Sequence, residues 1–489
     1  MPVCDDVPVS PPQPLHLKLL WLAFLVPLLW STGADADLFF HVLTGLHILA
    51  EGAIPPTDQW SFTAAGNLWM NHQWLTQVLL AWVWQHGGNA GLLVFRGIVL
   101  AVTAGTMGAA IWKRCPSPFW STLLVVFPFG IYSRLINLRP QGISYLGVAL
   151  VIGILTSIRR ERTWPLLALF LLFPLWANMH AGFPFGLGIM GAGVFALSVR
   201  GTLNKPRTLA LLLLPGMLTL LNPYGINLWQ YIFKEFGAPH IDLPEWNPPE
   251  GILLFITLGT IILPAIAAWK RRAPLRFEEW FGLVCSVFMT LRGARFIIFA
   301  VMFSSITLAT ALGHRQGQPQ QSAVPRWDER LPALLVLVIS LLAFQLPFIG
   351  RPGRVAIDAK RYPIASVRFL RESNARCRLW CPLGWGGIVL FHLSDHVRVS
   401  LDGRNTTVYP IHFVVEQTKA VFSGNLEPVI ALKPDAVLVE SHGPLYEALL
   451  QHPNFLRVQT DPVSSIFTRQ GFDLHPTIQI SSPTMDFPW

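Results

Sequence analysis

The chain has 489 residues, of which 52% are hydrophobic and only 13% charged, with a mean hydropathy of +0.47. A composition so apolar and so poor in charge excludes an ordinary soluble protein and points to a polytopic membrane protein. The formal net charge of +9 suggests a nucleic-acid partner, but Lys and Arg sit mainly in short links between apolar runs, so they report topology and no nucleic acid is expected.

In chain order, the run LKLLWLAFLVPLLW lacks a small-residue cleavage site and is followed by many similar runs, so it reads as an uncleaved first helix. Apolar stretches of near-spanning length number about eleven, at 17–32, 91–112, 119–133, 142–158, 164–180, 183–199, 209–222, 251–269, 278–291, 293–312 and 331–349. A single helix over 278–312 would exceed ~50 Å against a ~30 Å hydrocarbon core. Arg292, Gly293 and Arg295 in its middle therefore argue for a hairpin.

With a cytoplasmic N-terminal tail (1–16), the links KRCPSP, RRERT, RGTLNKPR, KRRAPLR and HRQGQPQQSAVPRWDER fall inside and carry fifteen Lys and Arg, against five in the opposite links. Gly33 to Phe95 holds none at all and would lie outside. The expectation is an integral protein of the cytoplasmic (inner) membrane: a transmembrane region at 17–349 with a first outer loop at 33–90, then an extracytoplasmic domain at 350–489.

Within that loop, DLFFHVLTGLHILAEG has helical apolar spacing, starts at an Asp that can cap it and stops at Gly52; NHQWLTQVLLAWVWQHGG follows the turn-rich IPPTDQWSFTAAGN. Both suit the membrane surface. The tail alternates β-like runs (GGIVLFHL, VRVSLDG, DAVLVES, FLRVQTD, SSIFTR) with helical stretches around IASVRFLRES and GPLYEALLQH, an α/β pattern. Cys377 and Cys381 are near enough in sequence to pair, with two unrelated structural thiols as the commoner alternative. No Walker motif, G-x-G-x-x-G or zinc-type spacing appears.

Asp35 and Asp37 stand where the first apolar run ends. A carboxylate beside a low-dielectric wall is a better proton acceptor, as a general base requires; helix capping is the competing role. His41, four residues after Asp37, would share its helical face, so the two could hold one divalent cation. Asp58 in IPPTDQW and His72 in NHQW are further polar groups of the loop, with turn capping and a headgroup-level position as alternatives. Arg134 and Arg139 in SRLINLRPQ, and Arg292 and Arg295 in LRGARF, resist the positive-inside trend. Such cations have anionic partners, and the guanidinium fork suits phosphate as well as the first-loop acids. WANMHAGF and LNPYG bring Asn178, His180, Asn222 and Tyr224 to the same outer level, where they would line a cavity or merely end helices. PEWNPPE adds Glu245 and Trp246 there. Trp60, Trp69, Trp74 and Trp246 offer flat faces for a sugar ring, or belong to the interfacial aromatic belt.

The acidic motif after the first helix, the two-helix outer loop, the many helices and the extracytoplasmic tail together resemble the GT-C class of polyprenyl-phosphate-sugar-dependent membrane glycosyltransferases. DADLFFHVLTGLHILAEGAIPPTDQWSFTAAGNLWMNHQWL, LRPQ, WANMHAGF, LNPYG and LDGR look like a bacterial group of GT-C-like proteins. The resemblance implies inverting transfer of a sugar from a polyprenyl-phosphate carrier to a glycan, lipid or protein hydroxyl on the outer side. It further implies that a first-loop acid, by motif position Asp35 or Asp37, acts as base or holds a divalent metal such as Mg2+ or Mn2+. Two departures stand out: D-x-D replaces the adjacent Asp-Glu pair of protein mannosyltransferases, and SRLINLRPQ lacks the later outer-loop acid of metal-using members. A non-catalytic membrane scaffold with a GT-C-like fold is the alternative.

Overall fold

The computed structural model describes residues 31–132, 138–237, 247–314, 353–474 and 487–488. The expected span at 17–32 up to residue 30, the span at 331–349, the tail 1–16, Arg134, Glu245 and Trp246 lie outside these, and the last two residues of the first span belong to a strand. The described chain begins as strand β1 (Ser31–Gly33) and turns into helix α1 (Ala36–Glu51). Asp35, extended at φ −86° and ψ 151°, caps α1 by accepting from the Asp37 backbone N at 3.0 Å, and Gly52 ends it in the left-handed region at φ 65°. The cap thus falls two residues before the Asp that opens the helical pattern.

Helix α2 (Trp74–Arg114) is continuous except at Gly88, whose φ of 53° and ψ of −144° no L side chain adopts readily. That break lies in the sequence QHGG, where the surface-helix pattern gives way to the apolar run. The body continues through α3 (Pro118–Tyr132), α4 (Gln141–Ser157), α5 (Leu169–Met179, entered by a 3-10 turn at Trp164–Ala168), α6 (Phe183–Val199), α7 (Lys205–Leu218), α8 (Ile226–Gly237), α9 (Gly251–Lys270), α10 (Phe277–Arg292) and α11 (Ile297–Gly313). Among the described residues two helices, Trp74–Arg114 and Ala294–Gly313, are long and apolar enough to cross a bilayer, and several shorter apolar helices accompany them. α7 and α9 turn Leu209, Leu213, Met217, Phe255, Leu263 and Trp269 outward, as a lipid-facing surface does.

One end of this body is tied by the Arg114–Glu279 ion pair at 2.6 Å, joined by Thr156 and Thr310, which brings the ends of α2, α4, α10 and α11 together. The opposite ends therefore share a second level, where Gln141 Nε2 donates to the Arg295 carbonyl at 3.3 Å. The hairpin turn after α10 and the start of α4 meet there.

The tail forms β2 (Arg354–Ala356), α12 (Ile364–Glu372), β3 (Cys377–Trp380), α13 (Leu383–Leu393), β4 (Val397–Val399), α14 (Ile411–Ser423), α15 (Glu427–Ala431), β5 (Ala436–Glu440), α16 (Pro444–Leu450), β6 (Phe455–Thr460) and β7 (Ser464–Arg469). Its sheet has the order β4-β3-β5-β7-β6, parallel over β4-β3-β5 and antiparallel over β5-β7-β6. GGIVLFHL is helical, not a strand: Trp385, Ile388, Val389 and Leu390 are all buried, and a helix covered on every side reads as an unbroken apolar run. Cys377 and Cys381 are free.

The tail does not stand apart. β1 pairs in parallel with β2, and Trp60–Phe62 of the first loop bonds along the edge strand β4, with Val399 N to Trp60 O at 3.2 Å and Phe62 N to Val399 O at 3.0 Å. Leu38, Phe39 and Val42 of α1 share one buried cluster with Val367, Ile388 and Leu390 of the tail. The first loop and the α/β domain share one hydrophobic cluster.

Candidate active site

Arg139 begins the segment that leads into α4, and its Nε donates to Asp35 Oδ1 at 2.6 Å and lies 3.5 Å from Asp37 Oδ2. Two acids and a guanidinium, separated by 104 residues, thus meet at the N-terminus of α1, where the helix dipole also favours negative charge. The acids differ. Asp35 is engaged by both the cap and the ion pair and its side chain is 11% exposed, whereas Asp37 is more distant from Arg139 and 28% exposed.

Around this point stand buried imidazoles. His180, C-cap of α5, shares a 2.7 Å hydrogen bond with Ser144 of α4, whose oxygen also accepts from Trp176 Nε1 at 2.9 Å. The His72 ring lies 6.4 Å from that of His180 and 5.4 Å from Tyr231 of α8. Burial pushes His72 down to about 4, with Arg295 adding to it. His41, buried and then repelled by Arg139, lies well below its usual value too. His41 and His72 are neutral at physiological pH. His72 thus packs against both His180 and Tyr231, and Gln141, two residues after Arg139, ties the Arg295 backbone to the start of α4.

Other expected residues are placed elsewhere. Arg292 donates to the Phe236 carbonyl at 2.8 Å and lies over the Phe236 ring, so it holds the end of α8 rather than facing the acids. Tyr224 OH accepts from the Asn71 backbone N at 3.0 Å, and Asn222 caps its own turn by accepting from Tyr224 N at 2.8 Å. Trp74 Nε1 donates to Asn178 Oδ1 at 3.0 Å, tying α2 to α5. The metal reading of Asp37 with His41 does not fit the donors present. His41 is buried with Nδ1 3.3 Å from Gln77 Nε2, and Arg139 supplies the positive charge beside the acids that a metal would otherwise bring. Among the described residues no group of three or more His, Cys, Asp or Glu side chains is placed to hold a metal ion.

Asp58 is not part of a cavity wall. It is fully buried and paired with Arg404 of the tail's LDGR, while it also accepts from Trp60 N at 3.0 Å, Ser61 N at 3.1 Å and the Ser61 hydroxyl. Arg404 Nε and Nη2 reach Asp402 at 2.8 and 2.6 Å, and the guanidinium lies against both rings of the edge-to-face Trp60–Trp69 pair, 5.2 and 5.1 Å from their centroids. Those tryptophans are buried against each other and an arginine and are not open to a sugar. Burial by itself would raise Asp402, but Arg404 and the Tyr409 hydroxyl hold it below the ordinary carboxylate range, and Asp402 and Asp58 hold Arg404 well above its own. The loop following this cluster reaches the helical body, where Thr406 donates to Glu235 of α8 at 2.7 Å. An acid and an arginine two apart in a tight turn, D-G-R, were the sequence signal for this cluster.

No family model and no curated protein matches the chain. Solved structures do. ArnT from Cupriavidus metallidurans bound to undecaprenyl phosphate superposes with a TM-score of 0.51 at 12% identity, over 92% of this chain and 96% of that one. The archaeal oligosaccharyltransferase AglB from Archaeoglobus fulgidus, in complex with an inhibitory peptide and a dolichol-phosphate, gives a TM-score of 0.52 at 11% identity, over 94% and 75% of the two chains. Together with the helical body and its C-terminal sheet, these likenesses show that the chain has a GT-C-like fold.

Proposed function

We propose that the chain is a membrane glycosyltransferase that moves a sugar from a polyprenyl-phosphate-linked donor to an acceptor hydroxyl, with Asp37 as the proton acceptor. The observation that carries this reading is the junction of Asp35, Asp37 and Arg139. Its two carboxylates are unequal: Asp35 is committed to the helix cap and to Arg139, which leaves Asp37 the more accessible of the pair. Asp37 takes the acceptor proton as the acceptor oxygen attacks the anomeric carbon; the bond from that carbon to the phosphate oxygen breaks, and the polyprenyl phosphate departs with its electron pair. Arg139 and Arg295 supply positive charge for the departing phosphate, and the neutral His72 offers a hydrogen bond without competing for it. A lipid-linked donor carries its own activated phosphate, which accords with a sequence lacking nucleotide motifs. In this reading the acids, arginines and α/β domain face the non-cytoplasmic side of the inner membrane, and the N-terminus the cytoplasm.

The test is transfer from an undecaprenyl-phosphate-linked sugar by the purified chain in nanodiscs. Asp37→Asn is expected to lower the rate ~10²–10⁴-fold with unchanged thermal unfolding. Full activity in the Asp35→Asn/Asp37→Asn double variant would overturn the reading, and a stoichiometric co-purifying partner with function intact in these variants would identify a scaffold instead.

A further inference from the structure

Asp37 is approached from a second side, by the α/β domain. Gly403 of LDGR lies so close that a Cβ there would stand 2.5 Å from Asp37 Oδ1, 2.7 Å from Phe40 Cε1 and 3.0 Å from Phe40 Cδ1. Arg139 addresses the other carboxylate oxygen, Oδ2. The carboxylate is thus set between a guanidinium on one side and a backbone without a side chain on the other.

The position of Gly403 is held from outside its own turn. Asp402 and Arg404 on either side of it are completely buried and locked to each other, to Asp58 and to the Trp60 and Trp69 rings. α13 presses on the same joint. A Cβ on Gly387 would come within 2.8 Å of the Ala36 carbonyl in the first turn of α1, and one on Gly386 would overlap the Leu401 carbonyl. Gly403 and Gly387 therefore let the tail close on the turn that carries Asp37, and Gly386 lets α13 pack against the turn that carries Gly403.

We propose that Gly403 is a positioning residue for Asp37: by omitting a side chain at this joint, the α/β domain fixes where the carboxylate sits against Arg139. The inference rests on Asp37 being the proton acceptor. The backbone of Gly403 is outside the left-handed region, so alanine acts there through space and not through strain.

Gly403→Ala is expected to lower kcat roughly 10- to 100-fold, as small misplacements of reacting groups do, to shift the acid limb of the kcat–pH profile, and to leave KM for the undecaprenyl-phosphate-linked donor within about twofold. The same change in an Asp37→Asn background should cost less than about twofold, because the group it misplaces is already gone. Phe40→Leu added to Gly403→Ala removes the ring contact but keeps the clash with Oδ1. Restored thermal stability with kcat still low supports positioning, whereas restored kcat overturns it in favour of simple packing. An equal loss from Gly403→Ala with and without the Asp37 carboxylate also overturns it. Water-soluble carbodiimide modification of Asp37, mapped by mass spectrometry against exposed Asp358, reads the same placement without turnover. A rate in Gly403→Ala unchanged from the parent sinks the proposal even if the chain proves to be no transferase, while an inactive parent with an altered rate faults only the transferase reading.

Discussion

The side chain of greatest structural consequence is Arg404, which the sequence left without a role. It is buried with Asp58 and Asp402 in a cluster whose every charge depends on the others. Removing one member of such a buried group typically costs about 3–5 kcal/mol, because the remaining charges lose an opposite charge they cannot replace with water. Arg404→Gln should therefore collapse thermal stability of the purified chain, and Arg404→Lys should recover only part, since an ammonium cannot reproduce the fork that spans Asp402 Oδ1 and Oδ2. Asp58 shows why the residue scale was only half legible. An acid in IPPTDQW announces a turn, and it does accept from Trp60 N and Ser61 N. Nothing in that stretch announces a guanidinium 346 residues away.

Elements with a clear period or a clear breaker were readable. α6 spans Phe183–Val199 as the apolar run did, α9 and α10 lie within a residue or so of their runs, and QHGG marked the break at Gly88. Gly88→Ala is expected to destabilise the chain by about 1–2 kcal/mol, from backbone strain at a conformation L-residues avoid. A Cβ there would meet nothing within 4 Å, so thermal unfolding should show that loss with little change in activity, and a larger loss would mean that the bend itself sets the site. GGIVLFHL and α8 were misread or missed for physical reasons. A short run buried all round carries no period, and INLWQYIFKEFG mixes Asn, Gln, Lys and Glu with apolar residues too finely to look like a span.

At the scale of the whole molecule, the buried imidazoles predict how stability responds to acid. His72 binds a proton in the unfolded chain near 6.5 but holds off to about 4 when folded, and His41 is lowered in the same direction. The unfolded state therefore binds more protons between these values, and stability should fall as pH drops from about 6.5 towards 4. Asp402 adds its own loss only below the ordinary carboxylate range, because its folded value is lowered. Thermal unfolding followed from pH 8 to pH 4 checks this, and replacing His72 by Asn should flatten the decline. The sequence by itself determined the apolar helical body, most helix limits, the α/β character of the tail and the candidacy of Asp35, Asp37 and Arg139, because hydropathy, periodicity, caps and charge placement are local properties of the chain. Only the tertiary structure decided that Arg139, and not Arg292, meets the acids, that Asp58 belongs to a staple, and that the tail builds the wall beside Asp37. Those facts depend on contacts between segments hundreds of residues apart, made by parallel strand pairing, close-packed glycines and buried ion pairs, none of which leaves a period in the sequence.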